Sequence, residues 1–373
     1  MEIIHTNNPH NEGSVYSDFK LLKHSDKLAE WQREGFASAP VIIDLDLTDR
    51  CNNKCPLCIY ADTNTERKFI PVEKAREILS DASEMGSRAV TFAGGGEPSC
   101  HPNFEELILH ARKGGLETAL FTNAYELSDS IIRTIAEQCT WMRVSLDADS
   151  PAIYKKTHGM NEAAFNQVIA NIGRITKQAR DSNSDIVVGI CYLIGPHTIP
   201  GIYNAAKLAK DLGANAIRFR PFFNFEDNRT SVLDLLNRKK EKEKVLEEMH
   251  EQLSKARELK SKDFDVSCPE YRLDALSDTK PRGFKVCYYP HFAASITADM
   301  KLYPCCPLKG YEQYAIGDLS NASFKEVWLS EKRKKVHHKI DFKSCPNPCQ
   351  FDGHARLLDS IKKSTKITHK NFL

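Results

Sequence analysis

The chain reads as an α/β protein built on a parallel sheet with crossover helices, and two observations predict this. Between Val41 and Pro221 short apolar runs alternate with longer amphipathic stretches through six strand–helix repeats. After Val266 the composition changes, and cysteine and aromatic residues return as expected of a second domain. The strands fall near Val41 to Leu47, Arg88 to Ala93, Glu117 to Phe121, Trp141 to Leu146, Asp185 to Leu193 and Ala216 to Arg220. The intervening helices fall near Pro71 to Met85, Asn103 to Lys113, Asp129 to Gln138, Glu162 to Lys177 and Pro200 to Leu212. Six repeats are two short of a full eight-stranded barrel, and in parallel barrels chemistry gathers at the C-terminal edges of the strands.

The flanks are plainer. Residues 1–40 form a polar N-terminal arm with a helix expected at Lys27 to Glu34, and residues 41–228 hold the repeats. Residues 229–265 are a bridging helix: Lys, Glu and Leu dominate, with Val232, Leu235, Leu236, Val245, Met249 and Leu253 near helical spacing and a solvated charged face opposite. Residues 266–373 make the cysteine-rich domain.

Composition excludes several classes. With 52 basic and 50 acidic residues there is no electrostatic footprint for nucleic acid. No stretch approaches the ~20 apolar residues that cross a bilayer, and the N-terminus lacks the basic and apolar regions of a signal peptide, so a cytoplasmic protein with no membrane partner is expected. Twelve cysteines would be odd as disulfides in a reducing compartment; metal clusters account better for most of them.

Cys51, Cys55 and Cys58 follow the first strand in the run Asp44-Leu-Asp-Leu-Thr-Asp-Arg-Cys-Asn-Asn-Lys-Cys-Pro-Leu-Cys. Three close thiolates can hold three corners of a cubic iron–sulfur cluster and leave one iron without a protein ligand. A structural zinc site is the competing reading, but zinc closes its shell with four ligands, and Asp62 and His101 are poorly spaced to supply the fourth. A second motif, Gly94-Gly-Gly-Glu-Pro98, ends the second strand. Glycines there let the backbone approach a ligand closely, and a carboxylate can receive an ammonium group.

Together these motifs resemble those of the radical S-adenosylmethionine (SAM) family. The resemblance implies a partial (β/α)6 TIM-type barrel, a 4Fe–4S cluster on Cys51, Cys55 and Cys58, and SAM chelated to the open iron through its amino and carboxylate groups. It gives the methionyl amino group to Gly94, Gly95, Gly96 and Glu97, and the ribose and carboxylate to Asn123, Ser145 and Asp147. The family usually has an aromatic residue where Leu57 stands, so the adenine contact falls to the Leu57 backbone or to Tyr60. An electron from a flavodoxin- or ferredoxin-type donor would cleave SAM to methionine and a 5′-deoxyadenosyl radical, which takes hydrogen from an unactivated carbon.

Five cysteines crowd the C-terminal quarter: Cys287, Cys305, Cys306, Cys345 and Cys349. Cys287 to Cys306 reads as a hairpin turning at Asp299-Met300. This resembles the start of a twitch or SPASM auxiliary cluster domain, although relatives commonly have glycine where Met300 stands. The count fits the twitch arrangement, with one auxiliary 4Fe–4S cluster on Cys287, Cys305, Cys345 and Cys349; the spacing alone leaves Cys305 and Cys306 open, and the likeness to single-cluster sugar dehydrogenases selects Cys305. Four thiolates would also suit zinc.

The resemblance to twitch alcohol dehydrogenases implies a small-molecule substrate, a sugar or aminocyclitol, whose carbinol carbon is oxidised to a ketone. Arg218 and Arg220 alternate on the last strand, share one face, and are candidates to anchor its hydroxyls or a phosphate. Epimerisation of a sugar-like natural product competes, and would need a non-ligand thiol as hydrogen donor: Cys191, Cys100, Cys268 or Cys306. Peptide modification shares the same core, but peptide-modifying relatives usually carry a leader-recognition domain in front, which the short arm does not supply. A zinc-organised, non-enzymatic interaction module is the remaining alternative. Substrate choice is assigned to inward side chains of the barrel and to the loop from Phe222 to Asn228.

Overall fold

The computed structural model describes residues 17–56, 58–60, 68–222, 239–268, 282–341, 345–347 and 349–364, with 239–242 given by backbone alone. Leu57, Asp62, the loop 223–228 and Val232, Leu235 and Leu236 lie outside the described residues. The six expected strands form within two residues of their expected ends: β1 (Ile42–Asp46), β2 (Ala89–Ala93), β3 (Glu117–Thr122), β4 (Trp141–Ser145), β5 (Val187–Ile194) and β6 (Ala216–Pro221). Helices α1 (Ser25–Glu34), α2 (Val72–Glu84), α3 (Phe104–Lys113), α4 (Asp129–Gln138), α5 (Pro151–His158), α6 (Glu162–Asp181), α7 (Ile202–Asp211) and α8 (Lys239–Glu258) surround them. Local chemistry sets several ends. The Ser128 side chain caps α4 by accepting from Ile131 N–H, and the Asn161 side chain caps α6 by accepting from Ala164 N–H.

The sheet is wider than the repeats require. After α8 the chain adds β7 (Asp265–Ser267) parallel to β6, and β8 (Ala293–Ile296) joins the opposite edge parallel to β1, Ile42 facing Ala293 and Leu45 facing Ile296. A hairpin then adds β9 (Lys301–Tyr303) and β10 (Gly317–Asp318), for the order β10-β9-β8-β1-β2-β3-β4-β5-β6-β7. The two parallel strands beyond the repeats thus come from the chain after α8, and among the described residues β7 and β8 stand at different places in the sheet and are not paired to each other. The hairpin turns where expected: Met300 stands in the left-handed region at φ +62°, the conformation that explains a preference for glycine there.

Side-chain alternation divides the barrel wall. Ile43, Leu45, Val90, Phe92, Met142, Val144, Ile190, Tyr192, Ile217 and Phe219 are almost fully buried on the outer, helix-covered face. The opposite face carries Asp44, Asp46, Thr91, Arg143, Ser145, Cys191, Arg218 and Arg220, a polar lining for the interior. Trp328 Nε1 and Arg333 Nη2, from the two helices that follow β10, both donate to Ala37 O and fasten the cysteine-rich region to the segment entering β1. No helix among the described residues is long and apolar enough to cross a membrane.

Candidate active site

The loop bearing the first three cysteines is held from three sides. Thr48 Oγ1 donates to Lys68 O and accepts from Arg50 N–H, which bends the chain out of β1. Gly96 N–H donates to Thr48 O at 3.0 Å and Glu97 N–H to Arg50 O at 2.8 Å, so the glycine motif lies directly against the cysteine loop. Glycine is required there for clearance: a Cβ on Gly96 would sit 2.1 Å from Arg50 O. On the third side, α5 supports the loop from below. Asn53 Nδ2 reaches Tyr154 Oη at 3.4 Å, Lys54 N–H donates to His158 O at 3.3 Å, and Gly159, at φ +66°, passes so close that a Cβ would lie 2.2 Å from Lys54 O. Tyr154 stacks on His158 at 4.2 Å, and His158 Nε2 pairs with Ser145 O at 3.1 Å. Burial drives the His158 pKa down to about 4, so the ring is neutral and Nε2 donates.

Cys51 is exposed, while Cys55 and Cys58 are half-buried. Burial, reinforced by Cys51 and Cys58 close by, pushes the Cys55 thiol up to about 12. Such thiols stay protonated until a metal centre takes the protons' place, which suits a cluster site whose loading releases protons. His101 is no zinc ligand: its Nε2 faces Ile70 O at 2.9 Å and its Nδ1 accepts from Asn103 N–H at 3.1 Å.

Glu97 is almost completely buried and does more than the sequence suggests. Its Oε1 accepts from Ser99 N–H, Ser99 Oγ and Thr122 Oγ1, and its Oε2 from Asn123 N–H at 2.7 Å. The carboxylate therefore ties the end of β2 to the end of β3. Asn123 Nδ2 in turn donates to Asn52 Oδ1 at 2.7 Å and lies 4.0 Å from Cys51 Sγ. Further along the rim, Ser145 faces Cys191, Cys191 faces Arg218, and Arg218 faces Ser267 across β4 to β7, giving one lateral row on the inner wall. One level higher, Asp147 takes a left-handed backbone at φ +44° and accepts from Leu193 N–H at 2.6 Å. Burial raises its carboxyl to about 7, against the hydrogen bond and the nearby Arg220. Arg220 Nη2 contacts Gln350 Oε1 at 3.4 Å.

The second cysteine set surrounds a small cavity lined by Cys287, Cys305, Cys345 and Cys349, with Tyr289 and Phe351 among its walls. Arg282 braces the Cys345 turn by donating to Cys345 O at 3.2 Å, and Cys349 N–H donates to Asp352 Oδ2 at 3.0 Å. Burial pushes the Cys287 thiol to about 12 and the Cys349 thiol to about 11. Cys306 is absent from this lining; its Sγ accepts from Gln350 Nε2 at 3.0 Å, outside the cavity.

The other thiols separate by location. Cys191 is buried on the inner row, Cys268 is buried just after β7, and Cys100 is half-buried beside the cysteine loop, where it takes a hydrogen bond from Asn52 N–H. Tyr60 lies between the two cysteine sets: burial raises its phenol, with Lys309, Asp46, Cys306 and Cys58 all close enough to act on it. Three features were not singled out from the sequence. Arg143 faces inward with its guanidinium 5.1 Å from the Phe121 ring centroid and 5.2 Å from that of Trp141. Helix α5 supports the cysteine loop. Lys309, deep between β1 and the cysteine-rich region, pairs with both oxygens of Asp46 at 2.7 and 2.9 Å. The signal for the last was in the first strand, where Asp44 and Asp46 break an apolar run on one face.

Comparison with known proteins agrees with this geometry. Residues 45–196 match the Radical SAM superfamily, and residues 287–351 match the SPASM iron–sulfur cluster-binding domain. The chain is a radical SAM enzyme with a SPASM domain behind its barrel, and it carries the cofactors this implies: SAM, its 4Fe–4S cluster and an auxiliary iron–sulfur cluster. Among relatives, it is 22% identical to the AdoMet-dependent heme synthase of Methanosarcina barkeri over 84% of this chain and 89% of that protein. It is 25% identical to the S-adenosylmethionine-dependent nucleotide dehydratase of Lacinutrix mariniflava over 32% of this chain and 26% of that one. In fold it is similar to Streptococcus suis SuiB bound to S-adenosylmethionine, at a TM-score of 0.64 and 13% identity over 85% of this chain and 72% of that one. It is also similar to anSMEcpe with bound AdoMet, at 0.56 and 15% over 88% of this chain and 100% of that one.

Proposed function

We propose that the enzyme oxidises a hydroxyl-bearing carbon of a sugar or aminocyclitol-like small molecule to a ketone. The observation that carries this reading is the cavity lined by Cys287, Cys305, Cys345 and Cys349, because four thiolates complete the shell of an auxiliary cluster and fit it to accept an electron rather than to bind substrate. Cys51, Cys55 and Cys58 would hold the SAM cluster. When bound, the cofactors supply a 5′-deoxyadenosyl radical at one end of the substrate and an electron acceptor at the other. The chain's own residues then bind and orient: Gly94, Gly95, Gly96 and Glu97 receive the methionyl amino group, and Asn123, Ser145 and Asp147 the ribose and carboxylate. Arg218 and Arg220, both half-buried on the inner wall, hold the substrate's hydroxyls or phosphate. The test is a panel of carbinol-deuterated sugars and cyclitols. Label should appear in deoxyadenosine, and the product should be lighter by both hydrogens of the oxidised carbinol. An unchanged product mass would overturn the reading.

One observation favours a second reading, epimerisation. Cys306 stands outside the cavity lining, next to Gln350, which also contacts Arg220, so its thiol is free to serve as hydrogen donor at the seam of barrel and SPASM region. In that case solvent deuterium would enter the product carbon, and Cys306→Ala would stop product formation while SAM cleavage continued.

A further inference from the structure

Asp44 and Asp46 occupy successive inward positions of β1, yet their surroundings differ. Asp46, 2% exposed, is sealed by Lys309, whose Nζ contacts both carboxylate oxygens. Asp44 is half-buried on the inner wall, and among the described residues its one hydrogen bond comes from Ser295 Oγ on β8 at 3.3 Å. The groups that face it come from every neighbouring element. Thr91 stands in register on β2, Asp46 shares its strand, Lys309 and Cys306 approach from the segment after β9, and Tyr289 approaches from the turn before β8. Tyr289 also forms part of the auxiliary cavity wall. Asp44 is thus an under-satisfied carboxylate at the boundary between the barrel interior and that wall, and such a group seeks a proton donor. Burial raises its pKa to about 6, with Asp46 adding to the rise and Lys309 opposing it, so at neutral pH it is mostly ionised.

We infer that Asp44 is the base that removes the substrate's hydroxyl proton, with Lys309 as the cation that favours its ionised form and Asp46 as the anchor that holds Lys309 in place; this rests on the oxidation reading above. The atoms and electrons balance. One hydrogen atom leaves carbon for the nucleoside fragment that SAM supplies, the hydroxyl proton moves to Asp44 Oδ, and the remaining electron passes to the auxiliary cluster as the C–O bond becomes C=O. Proton and electron leave on the same side of the substrate, the side where β1 meets the SPASM region.

The test uses the reconstituted holoenzyme with the carbinol-deuterated substrate of the panel. Asp44→Asn should leave deuterium transfer to deoxyadenosine within about threefold of wild type while ketone formation falls about a hundredfold or more, the usual worth of a positioned base. Asp44→Glu should restore part of it. The acid limb of the wild-type pH–rate profile, centred near 6, should vanish in Asp44→Asn and move to higher pH in Lys309→Met, where Asp46 is left without its partner. Independently of turnover, isotope-edited infrared spectra of aspartate-labelled holoenzyme should lose one carboxyl titrating near pH 6 in Asp44→Asn. The proposal is overturned if Asp44→Asn makes ketone at the wild-type rate, or if deuterium transfer falls in step with ketone. If wild type transfers deuterium but makes no ketone, the oxidation reading itself fails, which the wild-type control shows before any variant is read.

Discussion

The two cysteine sites of this chain solve opposite problems. The first lies on a loop beyond the end of β1, with Cys51 exposed and the exposed Ile59 beside it, and its supports come from backbone contacts with the glycine motif and α5. The second is walled by Tyr289, Pro290, Leu308 and Phe351 and braced by Arg282 and Asp352. An open loop would admit a nucleotide and a reductant; an apolar cavity would exclude water around a centre held by four thiolates. The difference teaches that the thiols matter less than what closes around them: three with access suit a reactive site, and, on the reading proposed above, four without access would suit a relay.

Breaking the open site should have the largest effect. Cys51→Ala, Cys55→Ala or Cys58→Ala should abolish deoxyadenosine formation altogether, measured by anaerobic turnover with dithionite, while the auxiliary iron remains. Breaking the closed site should separate the two functions: Cys345→Ala or Cys349→Ala should lower iron from about eight to about four per chain and stop product formation, with SAM cleavage persisting. Gly96→Ala tests the contact between the glycine motif and the cysteine loop. Its Cβ cannot fit 2.1 Å from Arg50 O, so the loop must shift, at a cost of about 1–3 kcal/mol and with weaker SAM binding, read by denaturant melts and by calorimetry.

A pH effect sharpens the same comparison. His158, under the open loop, has its pKa depressed by burial to about 4 from 6.5, so between those values the unfolded chain binds more protons and folding loses stability as pH falls. The loss is on the order of 3 kcal/mol across that window, and His158→Gln should flatten this part of the stability–pH curve in urea titrations. The smallest effect belongs to the hairpin turn. Met300→Gly relieves a left-handed residue and should raise stability by about 0.5–1 kcal/mol, less whatever packing the methionine side chain gives up.

The barrel was legible because its strands are short, apolar at alternate positions and regularly spaced, and its helices have strong periodicity; α4 falls on the expected residues, Asp129–Gln138. Helix α5 was missed because it is eight residues long and closed by Pro151 and Gly159, which read as loop punctuation. The pairing of β8 with β1 joins Leu45 to Ile296, a contact between residues that no local pattern links. The cysteine motifs gave both metal regions because ligand spacing is a local property. Lys309 stayed invisible for the opposite reason: a lone lysine in Pro307-Leu-Lys-Gly310 looks like surface until the fold brings Asp46 to it.

The seam at β1 and β8 has an evolutionary corollary. Because the two units share hydrogen bonds edge to edge, neither can be exchanged for a homologous piece by simple splicing at a linker. Cutting the chain ahead of β8 would bare the row of amides along Ile42 to Leu45, a sticky border that invites self-association. Barrel and iron–sulfur appendage should therefore have diversified as one inherited body.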